Sequence, residues 1–199
     1  MTPPRSPISS QPPSVTSRRR GWRWWLRQVE RAFAVIGVTW VMFHFTLMSS
    51  VIVSPSMAPT LQGKSWADGD RVLTELVTYR FRSPRRWEVV AFRRTDGTIV
   101  MKRVVGLPGE QVQMRRQGEL VINGQLVERP ASLSHLRYIP IGRLFEEGAV
   151  DCQRGYCVLG DDSKDSEDSR YDGPIPAEWI VGRAWLIVAP WSRFGRVNR

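Results

Sequence analysis

Lysine is scarce in this chain. Of 29 basic residues only Lys64, Lys102 and Lys164 are lysines; the rest are arginines, whose guanidinium does not deprotonate in proteins. Histidine is scarcer, with only His44 and His135, and cysteine is confined to Cys152 and Cys157. Two cysteines are too few for an all-cysteine zinc site. The formal net charge of +10 invites an anionic partner, but no RRM, KH or zinc-finger pattern accompanies it, which speaks against nucleic acid. In an oxidising compartment Cys152 and Cys157 could close a short disulfide loop. They could equally be unrelated thiols, one near a strand start and one within it, because spacing alone does not show that the Cα geometry fits.

Acidic residues are missing where the positive charge collects. Residues 1–32 hold seven arginines against one acid, Glu30, so the basicity belongs to a tail rather than to a fold. Residues 1–20 read as a disordered cytoplasmic tail. Its first 17 positions are rich in Pro and Ser and carry too little apolar surface to offset the entropy of ordering. Residues 21–32 form a basic juxtamembrane segment with Trp22, Trp24 and Trp25. Residues 33–53 then lack Asp, Glu, Lys and Arg altogether. A helix of that length spans roughly 30 Å, and the run is too long for a cleaved signal peptide. The expectation is one transmembrane anchor, with the tryptophans at the interface and the N-terminus cytoplasmic. His44 within it has no visible partner on a single helix.

Residues 54–199 read as an extracytoplasmic β domain. DRVLTELVTYRF, RWEVVAF, GTIVMKRVVG, VQMRR, ELVINGQLV, GYCVLGDD and AEWIVGRAWLIVAP are short β-branched runs separated by turn residues. Asn123-Gly124 is a two-residue hairpin signal. No strong amphipathic helix and no internal repeat interrupts them. The fold class is mostly β, an antiparallel sheet domain tethered by one N-terminal helix.

The stretch VIVSPSMAPTL, Val51–Leu61, sets Ser56 in a proline-bounded turn just past the apolar run. A serine nucleophile needs a proton acceptor. His44 falls inside the expected span and His135 has no flanking signature, so a Ser-His-Asp arrangement is thinly supported. Lys64 lies in a polar loop, and Lys164 lies among carboxylates that would raise its pKa. Lys102 differs: strand alternation puts it on the face of Val100 and Val104. Desolvation there would favour the neutral amine, unless the side chain snorkels from an edge strand to water.

Four blocks extend the pattern: SPSMAPTL at 54–61, GDRVLTE at 69–75, KRVVGLPGE at 102–110 and GDDSKDSEDSRYDGPIP at 160–176. In these blocks, in this order, the chain resembles the type I signal peptidases, membrane-bound serine proteases with a Ser-Lys dyad. The likeness covers residues 20–196. It implies signal-peptide removal from exported preproteins through an acyl-enzyme, with Ser56 as nucleophile and Lys102 as general base. It implies Ser54 and the Ser56 N–H as the oxyanion hole, Ser166 as the hydroxyl that orients the lysine, and Asp168–Arg170 as a supporting ion pair. Asp161 is expected in that same network. No metal or organic cofactor is implied. The partners are signal peptides, bound as an added strand with small side chains in shallow pockets, and membrane lipid through the anchor and the Trp-rich segment.

The chain departs from the family pattern in places. Asp162 and Ser163 stand where Asn and Arg are usual, and Trp87 stands where glycine is common. The altered pair leaves room for a rival reading as an inactive membrane-anchored scaffold. A self-cleaving repressor of the Ser-Lys type is disfavoured by the basic tail and apolar run at the N-terminus. A peptidase dedicated to one export substrate stays open.

Overall fold

The structure is a computed structural model, and it describes residues 18–197; positions 1–17 of the expected tail lie outside the described residues. It divides between His44 and Phe45 into two units. The first is the body of one helix, α1 (Arg18–Thr46), 29 residues long. Its large apolar side chains are exposed on every face, among them Phe33, Ile36, Val38 and Trp40. Trp24 meets Trp25 edge-on at 5.1 Å, and Trp40 stacks on His44 at 5.5 Å.

Here the expected anchor needs correction. The uncharged run from 33 to 53 is not one helix, because α1 stops at Thr46 and Leu47–Val51 form a strand, β1. No described helix is long and apolar enough to cross a membrane. β1 pairs antiparallel with β2 (Arg71–Glu75) over five residues, Leu47 opposite Glu75 through Val51 opposite Arg71. An apolar run alone does not distinguish helix from strand; the pairing partner decides, and it lies some twenty residues downstream.

The second unit holds two antiparallel sheets. After β2 come β3 (Val89–Arg93), β4 (Ile99–Gly106), β5 (Gln111–Met114), β6 (Leu120–Ile122) and β7 (Gln125–Leu126). A one-turn helix, α2 (Arg143–Glu146), precedes β8 (Val150–Asp151), β9 (Cys157–Leu159), β10 (Ile180–Ala189) and β11 (Gly195–Arg196). The large sheet runs β1-β2-β10-β3-β4-β9, with β11 on β10; the small one runs β7-β6-β5-β8. Asn123 and Gly124 both adopt positive φ, 49° and 80°, as the type I′ hairpin turn between β6 and β7 requires.

Strand alternation sorts the core. Val89, Ala91 and Met101 pack with Val72 and Ile187 on one side of the large sheet; Val90, Phe92 and Val104 pack with Val158 and Ile175 on the other. Two of the open edges bear on the site. β1 has a strand on one side only, and Ile99–Lys102 of β4 pair with β3 but not with β9, which begins its pairing at Arg103.

Candidate active site

A cleft of about 930 Å³ lies between those two open edges, and Ser50–Met57 line one wall. Thr98–Lys102 line the facing wall, and Lys164–Glu167 with Tyr171 and Asp172 close one end.

Ser56 sits in a single 3₁₀ turn, Pro55–Met57, that Ser54 enters in an extended conformation. Proline suits the first position of such a turn because it has no N–H to satisfy. The Ala58 N–H closes it on the Pro55 carbonyl at 2.7 Å, and the Asp162 N–H holds the Ser56 carbonyl at 3.1 Å. Met57 beneath is fully buried. The hydroxyl of Ser56 is 3.0 Å from that of Ser54.

Lys102 arrives from β4. Its side chain is 2 % exposed and shares the face of Val100 and Val104, as alternation predicts. The ammonium has no carboxylate of its own; Nζ donates to Ser166 Oγ at 2.9 Å. Burial pulls its pKa from 10.5 down to about 8, against the pull of the Asp168 charge and helped by the Arg170 and Arg94 charges. Of the two alternatives for this residue, desolvation prevails over snorkelling.

Ser166 in turn donates to Asp168 Oδ2 at 2.7 Å, which commits its proton and turns its lone pairs toward the lysine. Asp168 is saturated: Arg170 approaches with Nε at 2.9 Å and Nη2 at 2.8 Å, and the Gly160 N–H adds a contact at 2.9 Å. Gly160 is the point of closest approach. A Cβ there would meet Ser166 Oγ at 2.1 Å and the Ser56 carbonyl oxygen at 2.5 Å, so only glycine lets the two serine segments come together.

The structure thus gathers Ser54, Ser56, Lys102 and Ser166 around one cleft, with Asp168 and Arg170 buried behind Ser166. Among the described residues no hydrogen bond joins Lys102 to Ser56; the two line facing walls of the cleft. Asp161 is a correction. It belongs not to the Asp168–Arg170 pair but to a second one with Arg103, whose Nε and Nη2 reach it at 2.7 and 2.6 Å. Thr60 donates to the same carboxylate at 2.5 Å, and Arg103 Nη1 donates to the Trp87 carbonyl at 2.7 Å. Sequence reasoning missed Arg103 and Thr60. The available signal was an arginine facing opposite to Lys102 on an otherwise apolar strand, which demands a buried acid.

The departures are absorbed locally. Asp162 contacts Ser56 through its backbone and turns its carboxylate to the Lys164 N–H at 3.0 Å. Ser163 is buried with its hydroxyl unpartnered. Trp87 holds a positive φ of 71°; a left-handed backbone explains why glycine suits this position.

A family model described as "Signal peptidase, peptidase S26" matches residues 25–191. The chain is 35% identical over 159 residues to a probable signal peptidase I-2 of Synechocystis, covering 76% of this chain and 67% of that protein. It is 30% identical over 211 residues to a signal peptidase I of Leptolyngbya laminosa, covering 99% and 92%. It is 28% identical to signal peptidase I V of Bacillus subtilis, covering 77% and 95%.

Proposed function

We propose, from the premise that the chain belongs to the signal peptidase family, peptidase S26, that Ser56 and Lys102 carry out its reaction. That reaction is the removal of signal peptides by a serine endopeptidase. The observation that carries the assignment is a buried lysine with no carboxylate partner, hydrogen-bonded to Ser166 and facing the same cleft as Ser56.

The geometry supports the following steps. Neutral Lys102 takes the Ser56 proton, and Ser56 Oγ attacks the carbonyl carbon of the scissile bond. The Ser54 hydroxyl, released from Ser56 as that oxygen forms its new bond, turns to donate to the developing oxyanion together with the Ser56 N–H. The lysinium then protonates the leaving amine, and the regenerated amine activates the water that hydrolyses the acyl-enzyme. Catalytic hydrogen bonds commonly tighten only when substrate is bound, so the open Lys102–Ser56 contact is compatible with this order. Asp168, Arg170 and Asp161 support the site without touching substrate.

The signal peptide enters extended, its main chain pairing with the open edges of β1 and β4. Met57, Ile99 and Met101 give the cleft an apolar lining that fits small side chains before the cut. The helix α1, with its exposed apolar side chains and its arginines and tryptophans at the N-terminal end, attaches the protein to the inner membrane. The arginines ahead of the apolar run favour a cytoplasmic N-terminus with the β domain outside, an orientation carried by charge and not by α1, which alone is not long and apolar enough to cross.

The test is cleavage of a preprotein by the detergent-solubilised full chain. Ser56→Ala and Lys102→Ala are expected to abolish cleavage, and His135→Ala to retain it; an active Lys102→Ala would overturn the base assignment. Protease added to spheroplasts should digest the β domain and spare an N-terminal tag; digestion of the tag would reverse the orientation.

A further inference from the structure

Away from the serine site, the two cysteines meet where the two sheets join. Cys152 follows directly on β8 of the small sheet, and Cys157 opens β9 of the large one. Their Sγ atoms are 2.7 Å apart, a short side-chain movement from the roughly 2.05 Å of a covalent S–S bond. Both residues are fully buried. The backbone around them is pinned: the Gly155 N–H turns back to the Cys152 carbonyl, and the Cys152 N–H bonds the Glu110 carbonyl, each at 2.8 Å. Space for the sulfurs is made by Gly106 at the end of β4, where a Cβ would meet Cys152 Sγ at 2.6 Å and Cys157 Cβ at 2.9 Å.

We propose that Cys152 and Cys157 are joined as a disulfide that cross-links the small sheet to the large one. The strand so anchored runs from Cys157 directly into Gly160 and Asp161, so the cross-link holds the segment that contacts Asp168 and Arg103. The close contact between the two sulfurs holds the Cys152 thiol below its ordinary pKa despite burial and pushes the Cys157 thiol up. In the folded chain Cys152 is therefore the more acidic of the two thiols.

The oxidant is a low-molecular-weight disulfide such as glutathione disulfide. One cysteine thiolate attacks one of its sulfurs and expels one glutathione thiolate. The other cysteine, losing its proton to water, then attacks the sulfur of the first and expels the second. Two protein thiols are oxidised to one disulfide while one glutathione disulfide is reduced to two thiols. Because both cysteines are buried, the exchange takes place while the chain folds.

The sequence offers a clean readout. Trypsin cuts after Arg143, Arg154 and Lys164, which places Cys152 and Cys157 in separate peptides, 144–154 and 155–164. The full chain is synthesised into detergent in a glutathione buffer, quenched with acid, denatured, alkylated with N-ethylmaleimide and digested. In oxidising buffer the two peptides are expected as one linked species, two hydrogens lighter than their sum, which dithiothreitol separates. Two alkylated peptides from oxidising buffer, two glutathione adducts, or a cross-link between two chains would each overturn the proposal. Peptidase activity does not enter the readout, so the outcome is separate from the fate of the serine–lysine assignment.

Discussion

Lys102 and Arg103 are neighbours on β4 and both are buried, 2 % and 0 % exposed, yet the two sides of the strand solve the cost of a buried cation in opposite ways. On the Arg103 side the charge is kept. Asp161 takes two of its N–H groups, the Trp87 carbonyl a third, and Thr60 completes the carboxylate. On the Lys102 side the acid is present but withheld. Asp168 is occupied by Arg170, and the Ser166 hydroxyl stands between it and the amine. Burial then outweighs the attraction, and the amine titrates at about 8. One side yields a fixed ion pair, the other a base that works near neutral pH.

The sharpest way to break this contrast is Lys102→Arg, which puts a permanent cation where no acid is free. A group that cannot accept a proton forfeits general-base catalysis, so kcat/KM should fall by about 10²- to 10⁴-fold with the Ser166 contact available to the new side chain. For the wild type the same reasoning gives a pH profile. Protonated Lys102 is inactive, so kcat/KM rises with pH, about tenfold per unit, and levels off above about 8. A limb near pH 6 instead would point to a histidine.

On the other side of β4, Asp161→Leu leaves Arg103 buried without its acid. Removing one partner of a buried pair costs about 3–5 kcal/mol, read as a lower melting temperature of the full chain. The double variant Arg103→Met with Asp161→Leu should recover most of that loss, because a matched apolar pair replaces a matched ionic one. Recovery of folding without recovery of peptidase activity would show that the pair also sets the site's geometry.

Much of this arrangement was legible in the sequence, for reasons that differ by residue. The face shared by Val100, Lys102 and Val104 follows from a two-residue period, and the Asn123-Gly124 turn from the need for positive φ. The four blocks located Ser56, Ser166, Asp168 and Arg170 by resemblance. β1 was hidden because an uninterrupted apolar run carries no period, and a helix of suitable length accounts for it equally well. The Arg103–Asp161 pair was hidden because its partners lie 58 positions apart, and which acid meets which base across that distance is set by the β4–β9 register. Alternation places Arg103 on the face opposite Lys102, a signal the sequence reading did not use, and it does not name the partner.

A smaller effect separates positioning from charge. Ser166→Ala removes the acceptor that points the Lys102 amine, while the buried, unpaired environment persists. Misplacing a catalytic group by about an ångström can cost 10²-fold, so kcat should fall roughly 10- to 100-fold with little change in KM. Ser166→Thr, which keeps the hydroxyl, should restore part of it. Equal loss in both would assign Ser166 to packing.

The smallest expected effect runs the other way, toward greater stability. Holding Lys102 in place costs the folded protein whenever the amine must be charged, and Lys102→Met removes that cost together with the activity. The folded pKa, about 8, lies below the ordinary 10.5, so the unfolded chain binds the extra proton between those values. The penalty is therefore complete below pH 8, shrinks from 8 to 10.5, and is gone above. The difference between the two pKa values corresponds to about 3 kcal/mol, offset by the lost Ser166 contact, so Lys102→Met should be about 1–2 kcal/mol more stable than wild type at pH 7. Denaturant melts of the two proteins between pH 7 and 10.5 should converge as pH rises. A gap that stays constant across that range would mean the lysine is not titrating in the fold, and the two sides of β4 would then differ only in their partners.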